Sequence, residues 1–154
     1  MLPVVFVLNG PNLNRLGRRE PAIYGRQTLD EIREECLAAA ARLEVTVDFR
    51  QSNHEGDLVS WLHESDDDAA AVVLNAAGYT RTSLAILDAI KSIDTPVIEL
   101  HLSNLAKRES YRPPSLVSHG AVGMICGFGG FGYVLALQAA RHLIDRKPAA
   151  SPAA

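Results

Sequence analysis

Short apolar runs alternate with amphipathic helical patterns along nearly the whole chain, and that alternation leaves few folds open. The runs predict strands at about 3 to 9, 45 to 50, 70 to 75, 96 to 102 and 121 to 126. Between and after them, helical periodicity predicts helices over about 28 to 43, 54 to 64, 81 to 93 and 130 to 146. Regular strand-helix alternation means a parallel sheet covered by helices. Two helix starts carry the capping-box form, Thr28 with Glu31 and Ser52 with Glu55.

Five strands in this order suggest a flavodoxin-like doubly wound α/β sheet, order 2-1-3-4-5, with its switch point between the first and third strands. Ligands of such sheets bind beyond the carboxyl ends of the strands at that point. The segments Asn9 to Asn14 and Asn75 to Ser83 then face each other across a crevice. At 154 residues and 47% hydrophobic, the chain predicts one domain over 1–146. The low-complexity end 147–154 has nothing to bury and is expected to be disordered.

A net charge of -3 and a pI near 5.9 give no basic footprint for nucleic acid, while arginines gathered in particular loops suit a small anionic ligand. Cys36 and Cys126 have no paired spacing and read as buried free thiols, which argues for a reducing compartment. No apolar stretch approaches the roughly 18 to 20 residues needed to span a bilayer, and the N-terminus lacks the form of a signal peptide. A cytoplasmic protein without a membrane segment is expected.

The chemistry-bearing residues cluster where the sheet would place a site. Tyr24 follows Arg15, Arg18 and Arg19 in a long polar loop; nearby cations favour the phenolate and pull the hydroxyl below its usual value of about 10. Such a tyrosine reads either as a base or as a loop side chain packing on the surface. Glu99 and His101 leave one face of a strand at its carboxyl end, which fits an imidazole oriented by a carboxylate, a structural hydrogen bond, or two of three metal ligands. No third ligand has convincing spacing, since His54 and His63 lie on a separate helix, so metal is disfavoured. Asn12 and Asn75 end two strands; they serve as turn caps or offer amides to a hydroxylated ligand. The amides of Leu102 and Ser103 suit a carboxylate, and Arg108 and Arg112 either add charge-assisted hydrogen bonds or form a solvated face with Glu109.

The run from Gly127 to Gly132 fits G-x-G-x-x-G, yet no further strand with an acidic residue follows, so tight packing of the last helix explains it better than a dinucleotide. The lysines, Lys91, Lys107 and Lys147, all fall in helix or loop contexts, which argues against a desolvated Schiff-base lysine.

LNGPNLN at 8–14, REP at 19–21 and the Tyr24-Gly25 pair, followed by NAAGYT at 75–80, Thr82-Ser83, ELHLSN at 99–104, Arg108, Arg112, Ser115 and the glycine run at 127–129, resemble the type II 3-dehydroquinate dehydratases over roughly residues 4 to 144. The resemblance implies dehydration of 3-dehydroquinate to 3-dehydroshikimate by anti elimination through an enolate, with no cofactor, metal or Schiff base. It implies that Tyr24 removes the C2 proton, that Arg19 activates it, that Asn12 holds an enolate-stabilising water and that His101, set by Glu99, protonates the leaving hydroxyl. By the same likeness Asn75, Arg81 and Arg112 bind ring hydroxyls, Leu102 and Ser103 bind the carboxylate, and Asp88 reaches the site of a neighbouring copy. A homododecamer, a tetramer of trimers, is implied as well. Arg81 is the departure: the family typically has histidine there, and arginine is longer, permanently charged and never an acceptor. The competing reading from the residues is a non-catalytic flavodoxin-like module for a nucleotide or flavin, weakened by a first loop rich in Arg and Asn where a Ser/Thr/Gly phosphate nest is expected.

Overall fold

The computed structural model describes residues 1–18, 22, 25–108, 111 and 113–147. Among them the strands are β1 (Val4–Asn9), β2 (Thr46–Gln51), β3 (Ala71–Asn75), β4 (Val97–His101) and β5 (Gly123–Cys126). The helices are α1 (Leu29–Leu43), α2 (Glu55–Asp68), α3 (Leu84–Lys91) and α4 (Phe131–Arg146). All strand pairs are parallel and the order is β2-β1-β3-β4-β5, the doubly wound arrangement that the alternation implies.

Each central strand feeds two cores because successive side chains leave opposite faces. Val5 and Val7 of β1, with Val73 and Leu100, pack against Ile32, Cys36 and Ala39 of α1 and Ala136, Leu137 and Ala140 of α4. Phe6 and Leu8, with Val72 and Leu74, pack against Leu58 and Leu62 of α2 and Ile86, Ala89 and Ile90 of α3. Burial on both faces is what makes these strands read as continuous apolar runs. Cys36 is buried and its thiol is pushed up to about 12, chiefly by that burial. Cys126, expected buried, is only partly so, because β5 is an edge strand.

The register sets the site. Asn9 pairs with Asn75, so β1 and β3 end flush and their loops part from one point. The chain turns there so closely that Gly10 N–H donates to the Asn75 carbonyl at 2.8 Å, and a Cβ on Gly10 would lie 2.5 Å from the Ala76 carbonyl oxygen. Only glycine fits this crossing.

Two local expectations are corrected. Thr28 does cap α1, accepting from Glu31 N–H at 3.2 Å. Ser52 does not cap α2: His54 is the N-cap residue, and the Ser52 hydroxyl accepts from His54 N–H at 2.9 Å and donates to Asp57 at 2.6 Å, a tight turn that competes with the capping box. That helix also runs on to Asp68. The third helix starts later than position 81, since Ser83 caps it by accepting from Ile86 N–H at 2.9 Å, and Ala77–Tyr79 form a 3-10 turn before it. The shift lifts Arg81 out of the helix and onto the loop. Arg19, Tyr24, Glu109, Arg112 and residues 148–154 of the expected tail lie outside the described residues. No helix among the described residues is long and apolar enough to cross a membrane.

Candidate active site

The loops after β1, β3 and β4 enclose a cavity of about 360 Å³ at the carboxyl end of the sheet. Asn12, Asn75, Arg81, His101, Leu102 and Ser103 all line it, together with Arg108 and Pro113. The fold therefore brings six of the expected site residues to one place. Asp88 is not among them: it is exposed on α3.

The β1 loop is shaped by Asn12, which takes the left-handed conformation at φ 68° and whose N–H donates to Asn53 Oδ1 at 2.9 Å. Asparagine tolerates that region better than most residues. Across the cavity Ala77 is left-handed too, at φ 52°, where a Cβ costs on the order of 1 to 2 kcal/mol. Asn75 Oδ1 accepts from Ala77 N–H at 3.2 Å and helps to hold the strained residue. On the same wall Thr80 Oγ1 and Arg81 Nε are buried without a hydrogen-bond partner among the described residues. Buried polar groups are normally satisfied, and these two are exceptions among the described side chains.

The most deeply buried charged group of the site is on β4. Glu99 is fully buried, and its carboxylate accepts from His101 Nε2 at 2.5 Å, from the Ser115 hydroxyl at 2.6 Å and from the Ser118 hydroxyl at 2.5 Å. Burial would raise its pKa, but the three hydrogen bonds outweigh it and hold the carboxyl below the usual glutamate range. An ionised carboxylate thus fixes one imidazole nitrogen, leaving Nδ1 as the remaining ring nitrogen of a side chain that lines the cavity. His101 itself is 6% exposed, enough to meet a ligand and little enough to exclude bulk water.

Beyond His101 the chain leaves the sheet. The His101 and Leu102 carbonyls are taken by Gly127 and Gly129 N–H at 3.3 and 2.9 Å, whereas the N–H groups of Leu102 and Ser103 enter none of the loop and turn hydrogen bonds among the described residues. Two successive N–H groups at a strand end form a concavity for an anion. The glycine run serves packing, as its sequence context indicates: Gly127 sits at φ 96°, and a Cβ on Gly132 would lie 3.0 Å from Leu100 Cδ1.

Behind the cavity wall runs a buried polar chain. The Tyr133 hydroxyl of α4 donates to Asn9 Oδ1 at 2.6 Å and accepts from Asn75 Nδ2 at 3.0 Å, while Asn9 Nδ2 donates to the Arg50 carbonyl at 2.9 Å. Neither Ser118 nor Tyr133 stands out in the sequence as a functional residue. The one hint of Ser118 is its place three residues after Ser115, and Tyr133 has the pattern of an ordinary core aromatic in an amphipathic helix.

Residues 3–141 match the family Dehydroquinase class II. The chain is 54% identical over 143 residues to 3-dehydroquinate dehydratase 1 of Agrobacterium fabrum, spanning 93% of this chain and 99% of that one. It is 60% identical over 139 residues to the 3-dehydroquinate dehydratase of Mesorhizobium japonicum, spanning 90% and 96%. The type II dehydroquinase of Propionibacterium acnes has the same fold at a TM-score of 0.88 and 42% identity, with 92% of this chain and 98% of that chain covered. For the type II dehydroquinase of Butyrivibrio crossotus the TM-score is 0.87 at 34% identity, with 90% and 97% covered.

Proposed function

The chain belongs to the class II dehydroquinase family, and from that membership we propose that it removes water from 3-dehydroquinate to give 3-dehydroshikimate. The reaction is an anti elimination through an enolate. Tyr24, activated by Arg19, takes the C2 proton; the electron pair left behind forms the enolate, which a water held by Asn12 stabilises. Collapse of the enolate expels the hydroxyl, and His101 supplies the proton that turns it into water. Leu102 and Ser103 hold the substrate carboxylate, and Asn75, Arg81 and Arg112 its ring hydroxyls. Asp88 acts from a neighbouring copy in a homododecamer, a tetramer of trimers, and the enzyme works in the cytoplasm.

The observation that carries this reading is the buried Glu99–His101 pair opening onto a cavity whose other walls are lined by Asn75 and Arg81. A carboxylate that stays ionised stabilises the protonated imidazole needed to protonate a leaving hydroxyl. Among the described residues no lysine lines the cavity, which favours the enolate over a Schiff base. Purified protein given 3-dehydroquinate should produce the ultraviolet absorbance of the conjugated product, and borohydride added with substrate should leave it active. Covalent mass gain on a lysine would sink the enolate route, and no absorbance change would sink the activity.

A further inference from the structure

The buried chain behind the cavity has a direction that its two ends impose. At one end stands the Arg50 carbonyl, which can only accept, so Asn9 must turn its Nδ2 toward it and its Oδ1 toward Tyr133. At the other end stands the Ala77 N–H, which can only donate, so Asn75 must turn its Oδ1 toward it and its Nδ2 toward Tyr133. Between them the Tyr133 hydroxyl has a single proton. Asn9 Oδ1 takes that proton at 2.6 Å, which leaves the phenol oxygen to accept from Asn75 at 3.0 Å. Tyr133 is 1% exposed, Asn9 0% and Asn75 3%, so water does not substitute for any link.

One hydrogen of the Asn75 amide and one lone pair of its oxygen are consumed in this way. What remains for the cavity is one N–H and one lone pair, in an arrangement held by the Ala77 N–H on one side and the Tyr133 oxygen on the other. We propose that Tyr133, which does not line the cavity, is a positioning residue that, together with the Ala77 N–H, clamps the Asn75 amide and so sets where its free N–H and lone pair meet the ring hydroxyls. The inference rests on the dehydratase reading, with Asn75 as a ligand of the substrate hydroxyls. A hydroxylated ligand that donates to Oδ1 and accepts from Nδ2 is matched; one that lacks either hydroxyl leaves a buried amide group unpaired and is rejected.

The test is steady-state kinetics on Tyr133→Phe with 3-dehydroquinate, together with competitive binding of a ring-deoxy analogue. Without the phenol oxygen the inner N–H of Asn75 has no acceptor, and only the 3.2 Å bond from Ala77 N–H still holds the amide, so its aim into the cavity loosens. The expected result is a KM raised about three- to tenfold, the range of one neutral hydrogen bond, with kcat changed by less than about twofold. Discrimination between substrate and deoxy analogue should fall by a similar factor. Asn9→Ala repeats the experiment from the far side of the chain: with no acceptor there, the Tyr133 hydroxyl loses its 2.6 Å anchor and no longer clamps Asn75, and the same rise in KM is expected. A lowered thermal midpoint with KM and discrimination intact in whichever of the two variants folds would make Tyr133 a stabilising core residue only and overturn the proposal. Failure of the dehydratase reading is distinguishable, because the unaltered protein would then show no turnover at all.

Discussion

Removing the Ser115 hydroxyl should destabilise the protein in a pH-dependent way, because that hydroxyl serves a charge that exists only above a certain pH. Ser115 donates to Glu99 Oε2 at 2.6 Å, and Glu99 is completely inaccessible. A hydrogen bond to a charged group contributes about 1.5 to 3 kcal/mol, against about 0.5 to 1.5 for one between neutral groups. The folded-state pKa of Glu99 lies below its ordinary value of 4.5, so its contribution is fully present above that value and is lost as pH falls through the folded one. Ser115→Ala should therefore cost about 1.5 to 3 kcal/mol at neutral pH, and at least about 1 kcal/mol less once Glu99 is protonated. Urea unfolding of wild type and variant at equal protein concentration measures this, at neutral pH and at the lowest pH where wild type keeps its transition. Ser118→Ala should show the same trend at smaller amplitude, since Ser118 is exposed and water can take its place. A Ser115→Ala penalty that is the same at both pH values would refute the assignment of an ionised Glu99.

Gly10→Ala should destabilise by about 1 to 3 kcal/mol and depress kcat/KM, because its Cβ would press within 2.5 Å of the Ala76 carbonyl and part β1 from β3; unchanged urea midpoints would contradict the close crossing. Arg81→Ala should lower kcat/KM about tenfold or more, the scale of one charge-assisted hydrogen bond, with Arg81→His losing less; kinetics indistinguishable from wild type would mean the guanidinium does not meet substrate. Tyr24→Phe should reduce turnover by about 10²- to 10⁴-fold as the loss of a general base, and mixing that chain with Asp88→Ala should recover some activity if sites are shared between copies. No recovery after demonstrated subunit exchange would count against Asp88 acting in trans.

The sheet is legible in the sequence because buried parallel strands write themselves as apolar runs, and five of them, the first four separated by helical periods, admit few orders. The Glu99–His101 juxtaposition is legible for a similarly local reason: two residues apart in a strand share a face. What the sequence hides depends on distant partners. Tyr133 and Asn9 are 124 positions apart, and nothing in an amphipathic helix distinguishes an aromatic that fills space from one whose single hydroxyl joins two strand ends. Ser118 joins Glu99 across 19 positions by a turn that the proline-containing stretch before it does not announce. The cap near Ser52 and the helix start near Arg81 differ from expectation because serine and threonine hydroxyls serve turns and caps alike, and tertiary packing chooses between them.

The backbone strain follows the same division between what supports the fold and what serves the ligand. Three non-glycine residues among those described have positive φ: Glu44, Asn12 and Ala77. Glu44 ends α1 as a left-handed C-cap, an ordinary way to finish a helix, and its strain is offset locally by its N–H bonding to Ala40. Asn12, which precedes the 3-10 turn Leu13–Arg15, and Ala77 both line the cavity. Alanine has no side chain able to compensate for the left-handed conformation, so Ala77 is held from outside, by the Asn75 amide oxygen at 3.2 Å. The other end of that amide donates to Tyr133, which is seated by the packing of α4 against the sheet. The strained turn, the oriented amide and the core aromatic therefore form one connected support. Its cost is borne by the hydrophobic core, and its result is a cavity wall whose hydrogen-bonding pattern is set before any ligand arrives, which is the condition under which binding energy goes into the reaction instead of into ordering the site.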